Sequence, residues 1–315
     1  MIALIARRLL GLVLTLALVS LLVFMVMNVL PGDPAAIMLG TSARPDTLAA
    51  LRQELGLDQP AVPRYLAWLG GMLTGSFGTS MTYGVPVAEL IVERLAVTLP
   101  LAVLSIAMAI VLALPLGIAA GARRDRPLDY GAMAFAQAAM SLPNFWIGLI
   151  LILVFSTWLG WLPAGGFPGW HAGALSAVKA LALPALALAL PQSGILARVA
   201  RTAVVELTGD DFIRAARAKG LPPRLILWRH IVPNTVVPII TLIGLQFTFL
   251  IAGAVLVENV FSLPGLGRLA FQAVAQRDLV VLQSVVLLLA TLVIVVNFLV
   301  DLCYLLFDPR LRDTR

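Results

Sequence analysis

Cysteine, histidine and charged residues are all scarce in this chain of 315 residues. The single cysteine, Cys303, excludes a disulfide framework within the chain and any zinc site built from several cysteines. The two histidines, His171 and His230, lie far apart in the sequence, so we expect no histidine-rich metal site. Charged residues make up 12% of the chain and hydrophobic residues 61%, whereas roughly a quarter of a soluble domain is charged. The composition therefore predicts a protein whose solvent is lipid.

The sequence also lacks the motifs of ATP hydrolysis, metalloprotease chemistry and serine-hydrolase chemistry. It contains no GxxxxGKS or GxxxxGKT phosphate-binding loop, no HExxH, no CxxC and no GxSxG. We therefore expect no catalytic residue, no metal and no cofactor in this chain, and no enzyme activity of its own. Carboxylates within apolar stretches, the usual sign of an ion-coupled carrier, are limited to Glu258 and Asp301. A transporter of this kind needs its energy from another chain.

Six apolar stretches have the roughly 20 residues that a helix needs to cross the hydrocarbon core of a bilayer. These predicted spans are residues 9–29, 97–120, 135–159, 177–196, 236–257 and 282–306. The first follows Arg7 and Arg8 but is too long for a signal peptide, so we expect it to stay uncleaved. The sequence therefore predicts an all-α integral membrane protein with six transmembrane helices in a single domain over residues 1–315.

Basic residues are distributed unevenly among the connections between these spans. With the N-terminus inside, 15 of the 22 lysines and arginines fall in inside segments. The positive-inside rule therefore predicts a multi-pass protein with both termini in the cytoplasm. In this orientation residues 31–96 are an extracytoplasmic insertion after the first span, and residues 201–233 are a basic cytoplasmic loop. Such loops account for the formal charge of +6, so we expect no binding to nucleic acid.

The cytoplasmic loop contains the pattern of a short helix over residues 211–220. Asp210 and Asp211 stand where a helix begins, and Gly220 followed by two prolines stands where one ends. Four residues spaced at i, i+3, i+4 and i+7 are expected to share one face: Phe212, Ala215, Ala216 and Lys219. Pro223 can open a second short helix over residues 224–230, before Pro233 leads into the fifth span. A rigid stub with small residues on one face suits docking on a partner. A solvated basic loop that only enforces topology is the alternative.

The same loop resembles the coupling-loop signature of bacterial ABC importer permeases. That signature is Glu-Ala-Ala, three residues, Gly, nine residues, and then Ile-x-Leu-Pro. The matching residues are Ala215, Ala216, Gly220, Ile231 and Pro233. The residues that depart from it are Arg214, His230 and Val232. Such departures are common in the peptide and nickel branch of the family, which this loop resembles in particular.

Six further segments resemble that branch along nearly the whole chain. They are Arg7-Arg8-Leu9, Pro31-Gly32-Asp33-Pro34, Leu55-Gly56-Leu57-Asp58-Gln59-Pro60, Ser141-Leu142-Pro143-Asn144-Phe145-Trp146, Glu258-Asn259-Val260-Phe261 with Pro264-Gly265-Leu266-Gly267-Arg268, and Asp308-Pro309-Arg310. The chain is therefore similar to the first permease of a dipeptide or oligopeptide system, with the fold of a type I ABC importer permease.

The resemblance implies a set of partners in a bacterial inner membrane. These are a second permease that completes the pore, two cytoplasmic ATPases that bind ATP and Mg, and an extracytoplasmic peptide-binding protein. We expect residues 211–220 to be the docking stub on the ATPase, with Arg214 and Arg217 paired to its acidic residues. The candidate coupling residues are Asp211, Phe212, Arg214, Ala215, Ala216, Arg217, Gly220 and Pro233. A nickel or other small-solute permease of the same family is the nearest alternative. A channel or secondary carrier that works alone belongs to a different class and predicts transport without ATPases.

Four prolines interrupt the second, third and fourth predicted spans: Pro115, Pro143, Pro184 and Pro191. Proline frees a backbone carbonyl in a helix, and such breaks often line a water-filled path in transporters. Prolines are also frequent in membrane helices, where they often only kink the helix. These residues are therefore candidates for helix breaks or pore lining, with a simple kink as the alternative for each.

Overall fold

The structure is a computed structural model that describes residues 2–29, 35–36, 44–54 and 58–307. Its regular secondary structure over these residues is helical, apart from one isolated antiparallel bridge between Thr79 and Pro86. The α-helices are α1 Ile2–Val29, α2 Pro45–Glu54, α3 Ala61–Leu73, α4 Val87–Ala122, α5 Pro127–Ser141, α6 Asn144–Leu151, α7 Ala174–Thr208, α8 Asp211–Ala218, α9 Pro223–Ile226, α10 Val232–Val260, α11 Leu266–Gln276 and α12 Leu279–Phe307. The motifs at residues 31–34 and 308–310, and residues 55–57 of a third, lie outside the described part of the chain.

Five of the described helices are long and apolar enough to cross a membrane. The candidate spans are Ala6–Val26, Val87–Ala122, Ala174–Thr208, Pro238–Val260 and Leu279–Leu302. They coincide with five of the six predicted spans, because long apolar runs have few alternatives to a membrane helix. The all-α fold class is thereby confirmed over the described residues.

The predicted third span, residues 135–159, is divided at Pro143, one of the candidate helix breaks. It consists of Pro127–Ser141 and Asn144–Trp158, two helices bent by 104° at the break between them. Pro143 explains the break, because a proline disfavours helical dihedrals in the residue before it. Leu142 is accordingly extended, with φ −102° and ψ 135°. The described residues therefore contain five candidate spans, or six if the bent pair crosses the membrane as one.

The chain folds into two compact units. The insertion unit comprises Ile2–Val97 and Pro264–Val295, and the central unit comprises Thr98–Leu263 and Val296–Arg315. Helices α4 and α12 each contribute residues to both units. Helix α4 begins ten residues before the predicted span at residue 97, because its first turns belong to the insertion unit and pack in that unit's core.

The core of the insertion unit joins the start of α4 to α11 and α12. Its buried side chains are Val87, Leu90, Ile91, Leu266, Leu269, Ala273, Val281 and Val285. A polar contact fastens the segment before α4 to this core. The buried carboxylate of Asp278 accepts hydrogen bonds from Ser80 Oγ at 2.6 Å and from the Thr82 backbone N–H at 3.0 Å. Asp278 also caps α12, because its Oδ1 accepts the Val281 N–H at 3.2 Å.

The central unit is organised around α7, which packs against α5, α6 and α10. Helix α4 approaches α7 through Gly117 and Gly121, which form a GxxxG pair on one face. A Cβ atom built on Gly117 would lie 2.4 Å from the Ala197 carbonyl oxygen, and one on Gly121 would lie 2.7 Å from Val204 Cβ. Only glycine allows this approach. Small residues bring helices together in lipid, where apolar side chains gain little by leaving the solvent.

Candidate coupling site

The predicted cytoplasmic loop, residues 201–233, forms the expected stub, and Gly220 ends it. Helix α8 has eight residues, Asp211–Ala218, and Gly220 follows with φ +76°. The Gly220 N–H donates to the Arg217 carbonyl at 2.9 Å, and the Leu221 N–H donates to the Ala216 carbonyl at 3.3 Å. This pair of bonds is a Schellman motif, which satisfies two carbonyls of the last turn and needs a left-handed residue. The local sequence therefore builds a stub with a defined end.

The start of α8 differs from the expected side-chain cap. Asp210 occupies the N-cap position, but its side chain makes no capping hydrogen bond. Its backbone carbonyl accepts the N–H groups of Ile213 and Arg214, both at 3.1 Å. Asp211 lies in the first turn and forms an ion pair with Arg214 at 3.3 Å, with both side chains largely exposed. The aspartates therefore act through their charge near the positive end of the helix.

The predicted common face of the stub is divided in the structure. Ala216 is buried, whereas Phe212, Ala215 and Lys219 are exposed. The buried face consists of Ile213 and Ala216, which pack with apolar residues of the chain's own helices: Ile118, Val204, Ile226 and Ile231. Three of the four residues of the predicted docking face are therefore exposed, and only Ala216 is withdrawn into the core that Ile213 enters. One face therefore attaches the stub to the central unit.

Large apolar side chains remain uncovered in the same loop. Phe212 is 45% exposed, Leu225 38% and Trp228 64%. The charged residues Arg214 and Arg217 are exposed beside them in the sequence. A helix that is attached on one side and presents apolar and cationic groups on the other has the chemistry of a docking element.

The second short helix begins at Pro223, as the sequence predicts, but it does not end before Pro233. Helix α9 continues through a π-helical segment, Leu227–Ile231, into α10, and Pro233 lies in the first turn of α10. Proline cannot donate a backbone hydrogen bond and crowds the carbonyl one turn before it, which favours the wider π turn. Asn234 Nδ2 donates to the His230 carbonyl at 2.6 Å. The loop is therefore connected to a membrane helix without a flexible joint.

The structure contains an ion pair next to this loop that the sequence did not predict. Arg201 on α7 bonds Asp129 on α5 through Nε at 2.5 Å and Nη2 at 2.6 Å. Arg198 Nη2 likewise donates to Gln137 Oε1 of α5 at 2.7 Å. Sequence reasoning counted both arginines only as loop charges. The signal that was available is an acidic residue shortly before the third predicted span, in a connection that also holds arginines.

Two motifs of the family resemblance meet within the central unit. Asn144, in the segment after Pro143, lies against Gly253 of α10, where a Cβ atom would come within 2.4 Å of its Nδ2. Phe261, at the end of the segment that begins with Glu258, is fully buried against Gly148 of α6. These residues position α6 and α10 against each other, which indicates a packing role.

The four candidate prolines occupy different environments. Pro143 is exposed at the break between α5 and α6, whereas α4 continues through Pro115 and α7 continues through Pro184 and Pro191. Pro115 is exposed, and Pro184 and Pro191 are buried within the chain. Next to Pro191, the backbone carbonyl of Gln192 accepts a hydrogen bond from Gln246 Nε2 at 3.2 Å. Pore lining remains a prediction for these residues.

Glu258, one of the two carboxylates noted in the apolar stretches, is completely buried. Its Oε1 accepts a hydrogen bond from Thr98 Oγ1 of α4 at 2.6 Å. Asp301, the other, is exposed on α12. The described residues hold no group of three or more His, Cys, Asp or Glu side chains that is placed to hold a metal ion.

Comparison with known proteins places the chain in a family. Residues 113–313 match the binding-protein-dependent transport system inner membrane component, and residues 1–102 match the N-terminal part described for such membrane components. A peptide transport system permease protein of Brucella abortus (strain 2308) is 40% identical over 312 residues, which are 99% of each chain. A glutathione transport system permease protein of Salmonella choleraesuis (strain SC-B67) is 39% identical over 306 residues, which are 97% of each chain.

The fold is also that of a solved transporter. A structure of the MetNI methionine ABC transporter in an inward-facing conformation matches 70% of this chain and 96% of the matched chain, with a TM-score of 0.59 and 21% identity. The architecture is therefore that of a type I ABC importer permease. This chain belongs to the inner membrane components of binding-protein-dependent transport systems. It is a multi-pass transport subunit and not an ATPase, and the predicted resemblance is confirmed.

Proposed function

We propose that this chain forms half of the pore of an ATP-driven importer of di- or oligopeptides. The observation that carries this proposal is the attachment of α8 by Ile213 and Ala216, which leaves Phe212 exposed. A second, related permease completes the pore. Two cytoplasmic ATPases bind ATP and Mg, and an extracytoplasmic binding protein delivers the solute. In this arrangement both termini of the chain are in the cytoplasm.

The stub transmits the ATPase cycle to the membrane helices. ATP biases the ATPases towards a closed state, and a stub that is rigidly attached to the spans carries that bias to the pore. The contacting residues are Asp211, Phe212, Arg214, Ala215 and Arg217, and the positioning residues are Ala216, Gly220 and Pro233. The exposed Asp211–Arg214 pair is worth at most about 1 kcal/mol, so Arg214 can exchange Asp211 for an acidic residue of the ATPase.

Peptide is the solute class supported by the relatives. The Brucella relative is a peptide transport permease, and the Salmonella relative transports glutathione, which is a tripeptide. Both are similar to this chain along nearly their whole length. The methionine transporter, at 21% identity, supports the fold alone.

Uptake by reconstituted vesicles tests this function. The complete complex is placed in liposomes with ATP on the cytoplasmic side, and accumulation of labelled dipeptides, oligopeptides and glutathione is measured with the binding protein present. We expect accumulation of at least one peptide class that requires both ATP and the binding protein. Equal uptake without ATP would contradict the proposal and favour a channel or carrier. ATP-dependent uptake of nickel but of no peptide would favour the metal branch of the family.

A further inference from the structure

We propose that a basic pocket at the turn between α4 and α5 binds the phosphate headgroup of an anionic phospholipid. The pocket lies within the central unit and has a volume of about 480 Å³. It is lined by Arg123, Arg124 and Arg126 of the turn, and by Val205, Thr208 and Gly209 at the end of α7. Arginine side chains are the usual partners of phosphate oxygens, and three of them line this cavity. The proposal does not depend on which solute is transported.

The charges of this pocket are only partly compensated by the protein. Arg124 forms an exposed ion pair with Asp125 at 3.3 Å. Asp129, which accepts the Asp125 N–H, is bonded by Arg201. Among the described residues, Arg123 and Arg126 have no carboxylate within the 4.0 Å of an ion pair. Two cations are therefore available for an anionic ligand.

The shape of the turn is fixed by the structure around it. Asp125 adopts a left-handed conformation with φ +58°, and its backbone N–H donates to Asp129 Oδ2 at 3.0 Å. Arg201 binds both carboxylate oxygens of Asp129 from α7. The turn between two helices is thereby attached to a third helix next to the pocket. A ligand therefore meets arginines whose backbone is already positioned.

The depth of the turn favours a lipid over a soluble anion. The second predicted span ends at residue 120, so residues 123–126 follow it closely and are expected near the membrane boundary. Tyr130, one turn into α5, is 65% exposed. Exposed tyrosines are typical of the headgroup level, and basic pockets between transmembrane helices on the cytoplasmic side bind anionic headgroups.

Native mass spectrometry of the delipidated complex tests the proposal. The complex is titrated with phosphatidylglycerol and, in parallel, with phosphatidylcholine. We compare the wild type with Arg123→Gln/Arg126→Gln, and with a control, Arg224→Gln/Arg229→Gln, that loses the same charge from the same predicted side of the membrane. We expect phosphatidylglycerol to bind more tightly than phosphatidylcholine. Loss of each of Arg123 and Arg126 should weaken the binding of phosphatidylglycerol about fivefold. The control variant should bind phosphatidylglycerol as tightly as the wild type does.

Three outcomes would overturn the proposal. An equal loss of phosphatidylglycerol in the control would show that cytoplasmic charge in general attracts the lipid. Displacement of phosphatidylglycerol by excess inorganic phosphate would identify a site for a soluble anion, because the acyl chains of a bound lipid should resist such competition. Loss of the ATPase subunits from the Arg123→Gln/Arg126→Gln complex would show that these arginines contact the ATPase.

Discussion

Arg201 binds the carboxylate of Asp129 through two nitrogen atoms, with Nε 2.5 Å from Oδ1 and Nη2 2.6 Å from Oδ2. The side chain of Asp129 is 2% exposed and that of Arg201 is 25% exposed. Because the two residues belong to α5 and α7, their contact connects neighbouring membrane helices beside the loop that is expected to meet the ATPase. It also holds the turn of the proposed lipid pocket.

Removal of one member of this pair should be costly. Asp129→Ala leaves a partly buried guanidinium without its carboxylate, so we expect a loss of about 3 kcal/mol in stability. The measurement is the thermal unfolding midpoint of the purified protein in detergent. Asp125→Asn is the matched control, because its ion pair with Arg124 is exposed and Asn tolerates φ +58°. Equal midpoints for the Asp129 variant and the wild type would contradict the stabilising role of the pair.

A single methyl group at Gly117 should disturb the packing of α4 on α7. The added Cβ would lie 2.4 Å from the Ala197 carbonyl oxygen, so the helices must separate, at a cost of about 1–3 kcal/mol. Gly131 on α5 has no atom within 4 Å of such a Cβ, and Gly131→Ala should be neutral or stabilising. Unfolding curves of the two alanine variants give the comparison. Similar midpoints for both would show that α4 and α7 do not depend on this close approach.

Replacement of Gly220 should uncouple transport without preventing membrane insertion. Its φ of +76° is unfavourable for any side chain and worst for a β-branched one. No atom lies within 4 Å of an added Cβ, so the effect acts through the backbone and not through a clash. We expect peptide uptake to be lowest for Gly220→Val and intermediate for Gly220→Asn, with normal amounts of protein in the membrane. Unchanged uptake for Gly220→Val would remove the support for docking through a stub that ends at this residue.

Asp278 should hold the segment before α4 against the core of the insertion unit. Asp278→Ala removes the acceptor for Ser80 Oγ and for the Thr82 N–H, and it also removes the cap of α12. We expect a loss of about 1–3 kcal/mol and faster proteolysis between residues 74 and 86. Asp58→Ala, at an exposed position, should leave both measurements unchanged. Proteolysis at the wild-type rate in Asp278→Ala would rule out this fastening role.

Local signals explain which parts of the fold were predictable. The five straight spans follow from apolar length, and the end of α8 follows from Gly220 and the prolines after it. The break at Pro143 was one of the candidate helix breaks, but its angle of 104° was not predictable because a hydropathy pattern contains no dihedral information. The attachment of α8 through Ile213 and Ala216 was not predicted, because periodicity groups residues that share a face but does not show which face has a core to pack against.

Contacts between residues that are far apart in the chain could not be predicted from the sequence. Asp129 and Arg201 are 72 residues apart, and Ser80 and Asp278 are 198 residues apart. Nothing in one sequence pairs such positions, because the partner of a buried acid is decided by the arrangement of helices. The short helix α8 was recognisable for the opposite reason, since the glycine and the prolines that end it are neighbours in the chain.

ATP hydrolysis by the complex that co-purifies with this chain tests the central claim most directly. The tagged chain is purified in detergent from its native membrane, and hydrolysis is measured with and without a peptide-loaded binding protein. A coupled permease predicts that ATPases and a second permease co-purify, and that the loaded binding protein stimulates hydrolysis. A chain that purifies alone, shows no hydrolysis and moves solute in liposomes without ATP would contradict it.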